Sequence, residues 1–95
     1  FPSYIKMIFN IFHKIAIKSN AKSIVIDTKG LLKYDIELQV KIIEIIYRFL
    51  KPDNKFLRYK KVINFIDFIS TKKMIKANLS GMLVYKETLF IKFIA

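Results

Sequence analysis

The segment NLSGMLVYKETLFIKF, residues 78–93, decides the fold class of this chain. Apolar and polar residues alternate from position 75 into this segment, which is the period of a half-buried strand. Ser80 and Gly81 have the composition of a two-residue hairpin turn, after which residues 82–86 supply the return strand. Glu87 and Thr88 turn the chain again into a strand over residues 89–94. The segment therefore predicts a three-stranded antiparallel meander over residues 73–95, with one face buried under the rest of the chain.

The residues before this meander carry the period of amphipathic helices. The first helix is predicted over residues 3–18, where one stripe holds Ile5, Ile8, Phe12 and Ile15. The segment 24–27 is short and β-branched, and we interpret it as an extended link.

Two further helices are predicted. One spans residues 35–50, begins with Asp35 as its N-cap and has a single narrow charged stripe, so we expect it to be the most buried helix. Pro52 ends it, because proline disfavours helical geometry in the residue before it. The other spans residues 58–70, and its inward-facing residues are predicted to be Tyr59, Val62, Ile63, Ile66 and Ile69.

The predicted fold class is α+β, with three amphipathic helices followed by a small antiparallel three-stranded sheet. The 95 residues suffice for one domain: a lead-in helix within 1–23, a helical part over 24–72 and the meander over 73–95. Because the chain begins with Phe1 rather than methionine, we expect it to be a fragment of a longer protein.

Composition argues against most kinds of catalytic site. The chain has no cysteine, one histidine and two glycines, which disfavours disulfides, thiol chemistry, a metal centre and a glycine-rich phosphate loop. Glu37 and Glu44 share a helix face, but Lys41 lies between them, as in an ordinary surface charge ladder. His13 is expected to be solvated. We therefore expect no catalytic residue, metal or cofactor in this chain, no membrane span, and a cytoplasmic location.

The net charge of +11 favours a polyanionic partner. One basic group, Lys14, Lys18 and Lys22, is spaced by four at the end of the predicted first helix. A second group is predicted to mark both ends of the third helix and to follow a phosphate backbone: Lys51, Lys55, Arg58, Lys60, Lys61, Lys72, Lys73 and Lys76. The alternative is a solvated face rich in lysine because the genome is rich in A and T.

Aromatic side chains offer a second route to RNA, since unpaired bases stack on them. The spacing of most of these residues favours a place in the core instead, and it supports the core least for Tyr47 and Tyr85. The eight aromatic residues are Tyr4, Phe9, Tyr47, Phe49, Phe65, Phe68, Tyr85 and Phe90.

From residue 24 to residue 94 the chain resembles the region that follows the catalytic domain in tRNA(Ile)-lysidine synthases. Residues 30–34, GLLKY, match the family's apolar "L-x-x-L" entry, and residues 45–50, IIYRFL, match "(I/L)-(I/L)-R-R-W-L", with Tyr47 in place of the first arginine. Residues 79–86, LSGMLVYK, match "L-x-G-x-x-V-x-R", and residues 89–91, LFI, match "L-x-I". Lys86 stands where arginine is usual, which weakens a bidentate phosphate contact.

The resemblance implies an accessory tRNA-binding domain. The parent enzyme uses ATP, with magnesium, to join lysine to the wobble cytidine of a minor isoleucine tRNA, and its "S-G-G-x-D-S" loop lies in another domain. The expected partners are tRNA and the rest of the parent enzyme, and a homodimer is left open. The expected RNA contacts are the members of the second basic group other than Lys51, together with Arg48 and Lys86. Two alternatives stay open: a free-standing basic RNA-binding or ribosomal-type protein, and a protein-interaction module that docks a partner through its third strand or first helix.

Overall fold

A computed structural model describes residues 3–54 and 57–95. The elements follow in the order α1 (Ser3–Ile15), β1 (Ala16–Ser19), β2 (Ser23–Asp27), α2 (Thr28–Leu32), α3 (Ile36–Leu50), α4 (Tyr59–Thr71), β3 (Ile75–Leu79), β4 (Met82–Lys86) and β5 (Phe90–Ile94). The α+β class is confirmed.

The sheet has five antiparallel strands in the order β1-β2-β5-β4-β3, so the prediction of three strands is wrong. Of the two extra strands, β1 falls mostly on the end of the predicted first helix, and β2 falls on the segment between the first and second predicted helices. β2 pairs with β5 from Ser23 opposite Ile94 to Asp27 opposite Phe90. The segment interpreted as a link is therefore an inner strand, and β5 lies in the middle of the sheet instead of exposing an edge to a partner.

The first helix ends at Ile15, three residues earlier than predicted. From Ala16 the chain is a strand that pairs with β2, with an irregularity between Ala16 and Lys18. A fourth helix, α2, was not predicted because five residues are too few to show a helical period. It is capped by Asp27, whose carboxylate accepts from the Gly30 N–H at 2.7 Å.

The longer C-terminal elements agree with the sequence. Asp35 caps α3 by accepting from the Leu38 N–H at 3.0 Å, as predicted. The β3–β4 hairpin turns at Ser80 and Gly81, which have φ values of 48° and 90°. Positive φ at both central residues is the mark of a type I′ turn, which suits the twist of the paired strands.

The core lies between the helices and one face of the sheet. Burial alternates along the strands: Ile24 and Ile26 are buried in β2, and Ile91 and Phe93 in β5, whereas the residues between them are only half-buried. Helix α3 contributes the largest share of buried helical residues, as expected.

Only some of the aromatic residues that were predicted to lie in the core are buried. Tyr47 and Phe65 are buried, and Tyr85 and Phe90 are half-buried, but Tyr4, Phe9, Phe49 and Phe68 are exposed. Tyr59, predicted to face inward, is 53 % exposed and donates a hydrogen bond to Glu37 instead.

Candidate nucleic-acid interface

Most of the predicted RNA-binding residues are exposed in the structure. Apart from Arg48 on α3, they lie in two groups near opposite ends of α4, about 20 Å apart along a helix of 13 residues. Lys55 lies outside the described residues. The exposed candidates are Arg48, Arg58, Lys60, Lys61, Lys72, Lys73 and Lys76.

Near the start of α4, two lysine side chains lie beside the tip of the β3–β4 hairpin. The Lys61 ammonium donates to the Ser80 hydroxyl at 3.0 Å. A Cβ built on Gly81 would lie 4.0 Å from the Lys51 ammonium, so this second lysine also lies beside the turn. Arg58 and Lys60 are exposed next to Lys61 in the chain. We call Lys51, Arg58, Lys60 and Lys61 the helix–turn patch.

Part-buried hydrogen bonds join the end of α3, the turn after it and the hairpin tip. The Tyr47 hydroxyl donates to the Ser80 carbonyl at 2.7 Å and accepts from the Asn54 side chain at 3.0 Å. The Asn54 N–H in turn donates to the Lys51 carbonyl at 3.1 Å. The end of α3, the following turn and the hairpin tip are thereby fixed against one another. Because Lys51 belongs to this network and the Lys61 ammonium donates to Ser80, these two lysines are held beside the hairpin tip before any ligand arrives.

The far end of α4 combines cations with aromatic rings. The Lys72 ammonium lies 5.7 Å from the centre of the Phe68 ring, and the Lys76 ammonium lies 5.7 Å from the centre of the Tyr85 ring. Lys73, between them in sequence, is exposed. This end therefore offers both charge and flat apolar surface, a combination that suits unpaired nucleotides.

Lys86 has to be removed from the candidate RNA contacts. Its side chain is only 6 % exposed, and its ammonium donates to the Ile69 carbonyl at 2.5 Å and to the Lys72 carbonyl. Burial lowers the pKa of this ammonium. Strand pairing places Lys86 opposite Ile75 on the core face, so the residue closes the end of α4 and does not reach solvent.

The acidic residues do little to neutralise the two exposed groups. Asp27 and Asp35 cap helices, and Glu37 accepts from Tyr59, which raises the pKa of that phenol. The Lys41 ammonium lies 3.5 Å from a carboxylate oxygen of Glu44, and this is the one ion pair within residues 3–54 and 57–95. The positive field of the surface is consequently left largely uncompensated.

The other predicted basic group does not lie along one helix. Lys14 belongs to α1, Lys18 to β1 and Lys22 to the turn before β2. Sequence reasoning also passed over Lys92, which lies in β5 and pairs with Tyr85 across the sheet. Its only sequence signal was its place in an alternating strand.

A separate apolar hollow lies between α1 and α3. Its volume is about 220 Å³, and its lining includes the aromatic rings of Phe9, Phe12 and Phe49. Phe49 is 56 % exposed.

No group of three or more metal-ligating side chains is found in the described part of the chain. Nor does any helix there have both the length and the apolar character needed to cross a bilayer.

The chain matches no protein-family model, and no curated protein or solved structure is significantly similar to it.

Proposed function

We propose that this chain is an RNA-binding domain, and specifically the accessory tRNA-binding domain of a tRNA(Ile)-lysidine synthase. The observation that carries the proposal is the helix–turn patch, whose four cations have no described carboxylate paired to them. The Lys51 and Lys61 ammonium groups lie beside the hairpin tip, which a hydrogen bond joins to the end of α3. In this proposal the patch grips the phosphate backbone of tRNA in the cytoplasm. Adenylation by ATP and magnesium, and the transfer of lysine, take place on another domain of the parent enzyme.

The residues that carry the family resemblance support this proposal through their positions. Leu79, Val84 and Ile91 are buried on the core face of the sheet, and Gly81 supplies the positive φ of the turn. Arg48 is exposed on α3. The matched apolar spacing thus coincides with the framework that presents the helix–turn patch.

The test is a charge reversal within the patch. We expect the triple variant Arg58→Glu, Lys60→Glu, Lys61→Glu to bind tRNA more weakly and with a flatter salt dependence. Each lost phosphate contact lowers the slope of log K against log salt by about 0.7–0.9. Filter binding at several salt concentrations measures both quantities. The variant is expected to fold, because glutamates in the first turn of a helix interact favourably with its dipole.

A matched control separates the patch from the total charge. The variant Lys6→Glu, Lys14→Glu, Lys33→Glu makes a similar change in charge at exposed positions outside the patch. Equal weakening by both triple variants would mean that only net charge matters, and unchanged binding by the patch variant would eliminate the patch.

Specificity distinguishes the lysidine synthase proposal from a general RNA-binding protein. We expect the domain to bind the minor isoleucine tRNA more tightly than an elongator tRNA of another identity. Equal affinity would favour the free-standing RNA-binding protein.

The hollow between α1 and α3 favours a second function, that of a protein-contact module. Exposed Phe9 and Phe49 beside an apolar hollow suit a protein surface, such as the rest of the parent enzyme or a second copy of the chain. If a protein partner docks at this hollow, we expect Phe49→Asp to abolish binding to that partner and to leave tRNA binding by the helix–turn patch intact.

A further inference from the structure

The burial pattern places the described helices on one face of the sheet and leaves the other face without one. The buried residues of β2, β4 and β5 all lie on the face that packs on the helices, and the intervening residues Val25, Leu83, Tyr85, Lys92 and Ile94 are half-buried. Half-burial of this kind is what neighbouring side chains on a sheet impose on one another. This outer face is separate from the helix–turn patch.

The strand register aligns a single row of residues across this outer face. Lys18 pairs with Val25, Val25 with Lys92, Lys92 with Tyr85 and Tyr85 with Lys76. Directly opposed residues in antiparallel strands point to the same face. The row therefore alternates lysine with a flat or apolar side chain across all five strands, and we call it the lysine row.

The spacing of the row suits a nucleic-acid strand. Strands lie about 4.8 Å apart, so successive lysines of the row are roughly 10 Å apart, with Tyr85 midway between two of them. A cation on either side of an aromatic ring can hold the phosphates that flank a base stacked on that ring. The next row, which contains Ser23, Ile94, Leu83 and Asn78, carries no charge and offers apolar surface beside it.

We propose that the outer face of the sheet binds an unpaired RNA strand, with a base stacked on Tyr85 and phosphates held by Lys76, Lys92 and Lys18. This inference rests on the proposed RNA-binding function but assigns a second surface and a different class of RNA structure, single-stranded rather than helical. The charge of the lysine row selects the partner: Asp27 is the one acidic residue on this face of the described strands, and its carboxylate caps α2.

In the free protein the Lys76 ammonium lies 5.7 Å from the Tyr85 ring centre. Lys76 is exposed on an edge strand, so its flexible side chain can move from the ring to a phosphate when a base arrives. The contact between Lys76 and Tyr85 orients the tyrosine ring and leaves the outer face of the sheet open to a ligand.

The experiment uses the intact chain and a fluorescein-labelled oligouridylate of about 12 nucleotides, a length within the usual range of single-strand sites. Fluorescence anisotropy measures its affinity, and a duplex RNA of equal length is the comparison. We expect Tyr85→Leu to weaken oligouridylate binding about tenfold, within the range that loss of one base–aromatic stack produces. Tyr85→Phe keeps the ring and is expected to bind like the original protein.

The lysines are tested with a matched pair of variants. Lys18→Gln, Lys76→Gln, Lys92→Gln is expected to weaken oligouridylate binding at least tenfold, while Lys6→Gln, Lys14→Gln, Lys33→Gln, with the same loss of charge, changes it much less. Circular dichroism checks that each variant is folded. Ultraviolet crosslinking of a 5-iodouridine oligonucleotide to the unmodified protein needs no folded variant, and the crosslink is expected at Tyr85.

The outcomes separate this inference from the proposed function. Unchanged oligouridylate binding by both Tyr85→Leu and the lysine-row variant, or a crosslink confined to the helix–turn patch, would overturn it and leave tRNA binding by the patch standing. Loss of tRNA binding in the patch variant together with intact oligouridylate binding would support both surfaces. If the lysine row instead binds an acidic peptide or anionic vesicles more tightly than the oligouridylate, the inference is also wrong.

Discussion

At the scale of single residues, Lys86 shows how a charged side chain can serve the core. The last turn of α4 contains no basic residue, and the carbonyls at a helix end need donors. Lys86 supplies them from β4, with its ammonium on the carbonyls of Ile69 and Lys72. A lysine that the sequence presents as the polar end of a strand is thus a structural donor, and it joins the end of α4 to the sheet.

The buried ammonium predicts a specific dependence of stability on pH. Because burial lowers the pKa of Lys86 in the folded state, the unfolded chain binds the proton more tightly. Between the lowered pKa and the ordinary lysine value of about 10.4, the unfolded state therefore carries more protons, and the free energy of unfolding rises with pH. Lys86→Met lacks this contribution. We expect the original protein to gain stability relative to the variant as pH rises.

Urea unfolding at several pH values from about 8 to 10 measures this difference. Lys6→Met is the control, since Lys6 is exposed on α1. Parallel pH profiles for the original protein and Lys86→Met would contradict the assignment of Lys86 as a buried, proton-linked donor.

At the scale of elements, the sequence predicted what local chemistry determines. The hairpin over β3 and β4, the cap at Asp35 and the body of α3 each depend on residues within a few positions of one another. The strand β1 does not: residues 16–19 follow α1 with no glycine or proline between them, and they become a strand because β2 is available as a partner. β2 is held in turn by β5, nearly seventy residues later in the chain.

The same distinction applies to the candidate site. The exposed cations at the start of α4 are close in sequence, so composition was enough to group them. The lysine row takes Lys18, Lys76 and Lys92 from three strands, and only the strand register brings them together. The buried position of Lys86 likewise depends on which face of β4 packs on the helices.

Substitutions in the inner strand test whether residues 24–27 belong to the core. We expect Ile26→Asp to unfold the domain as completely as Leu79→Asp does, because each places a carboxylate at a fully or nearly fully buried position. The cost of several kcal/mol approaches the whole stability of a small domain, about 5–15 kcal/mol. Asn78→Asp is the control: it adds the same charge at an exposed position of β3 and keeps the acceptor for the Gly81 N–H.

Circular dichroism and thermal melting report the result. A folded Ile26→Asp variant beside an unfolded Leu79→Asp variant would show that β2 is a dispensable link and that the three C-terminal strands form the sheet alone.

At the scale of the whole molecule, charge and packing oppose each other. The chain carries a net charge of +11, and its described residues contain a single ion pair, Lys41 with Glu44. Like charges on a compact surface repel one another and destabilise the folded state. An uncompensated positive surface lowers the stability of an isolated domain. The same surface favours binding to a polyanion, because binding releases counterions.

This opposition predicts that moderate salt stabilises the protein. Raising KCl from about 0.01 M to about 0.1 M shortens the screening length from about 30 Å to about 10 Å, so repulsion across the domain falls while contacts within the core are unaffected. We expect the melting temperature to rise over this interval. In Lys6→Glu, Lys14→Glu, Lys33→Glu each exchange removes two units, so the net charge falls from +11 to +5 and the rise should be smaller. A melting temperature that falls with salt in the original protein would mean that favourable ion pairs, rather than repulsion, dominate its surface.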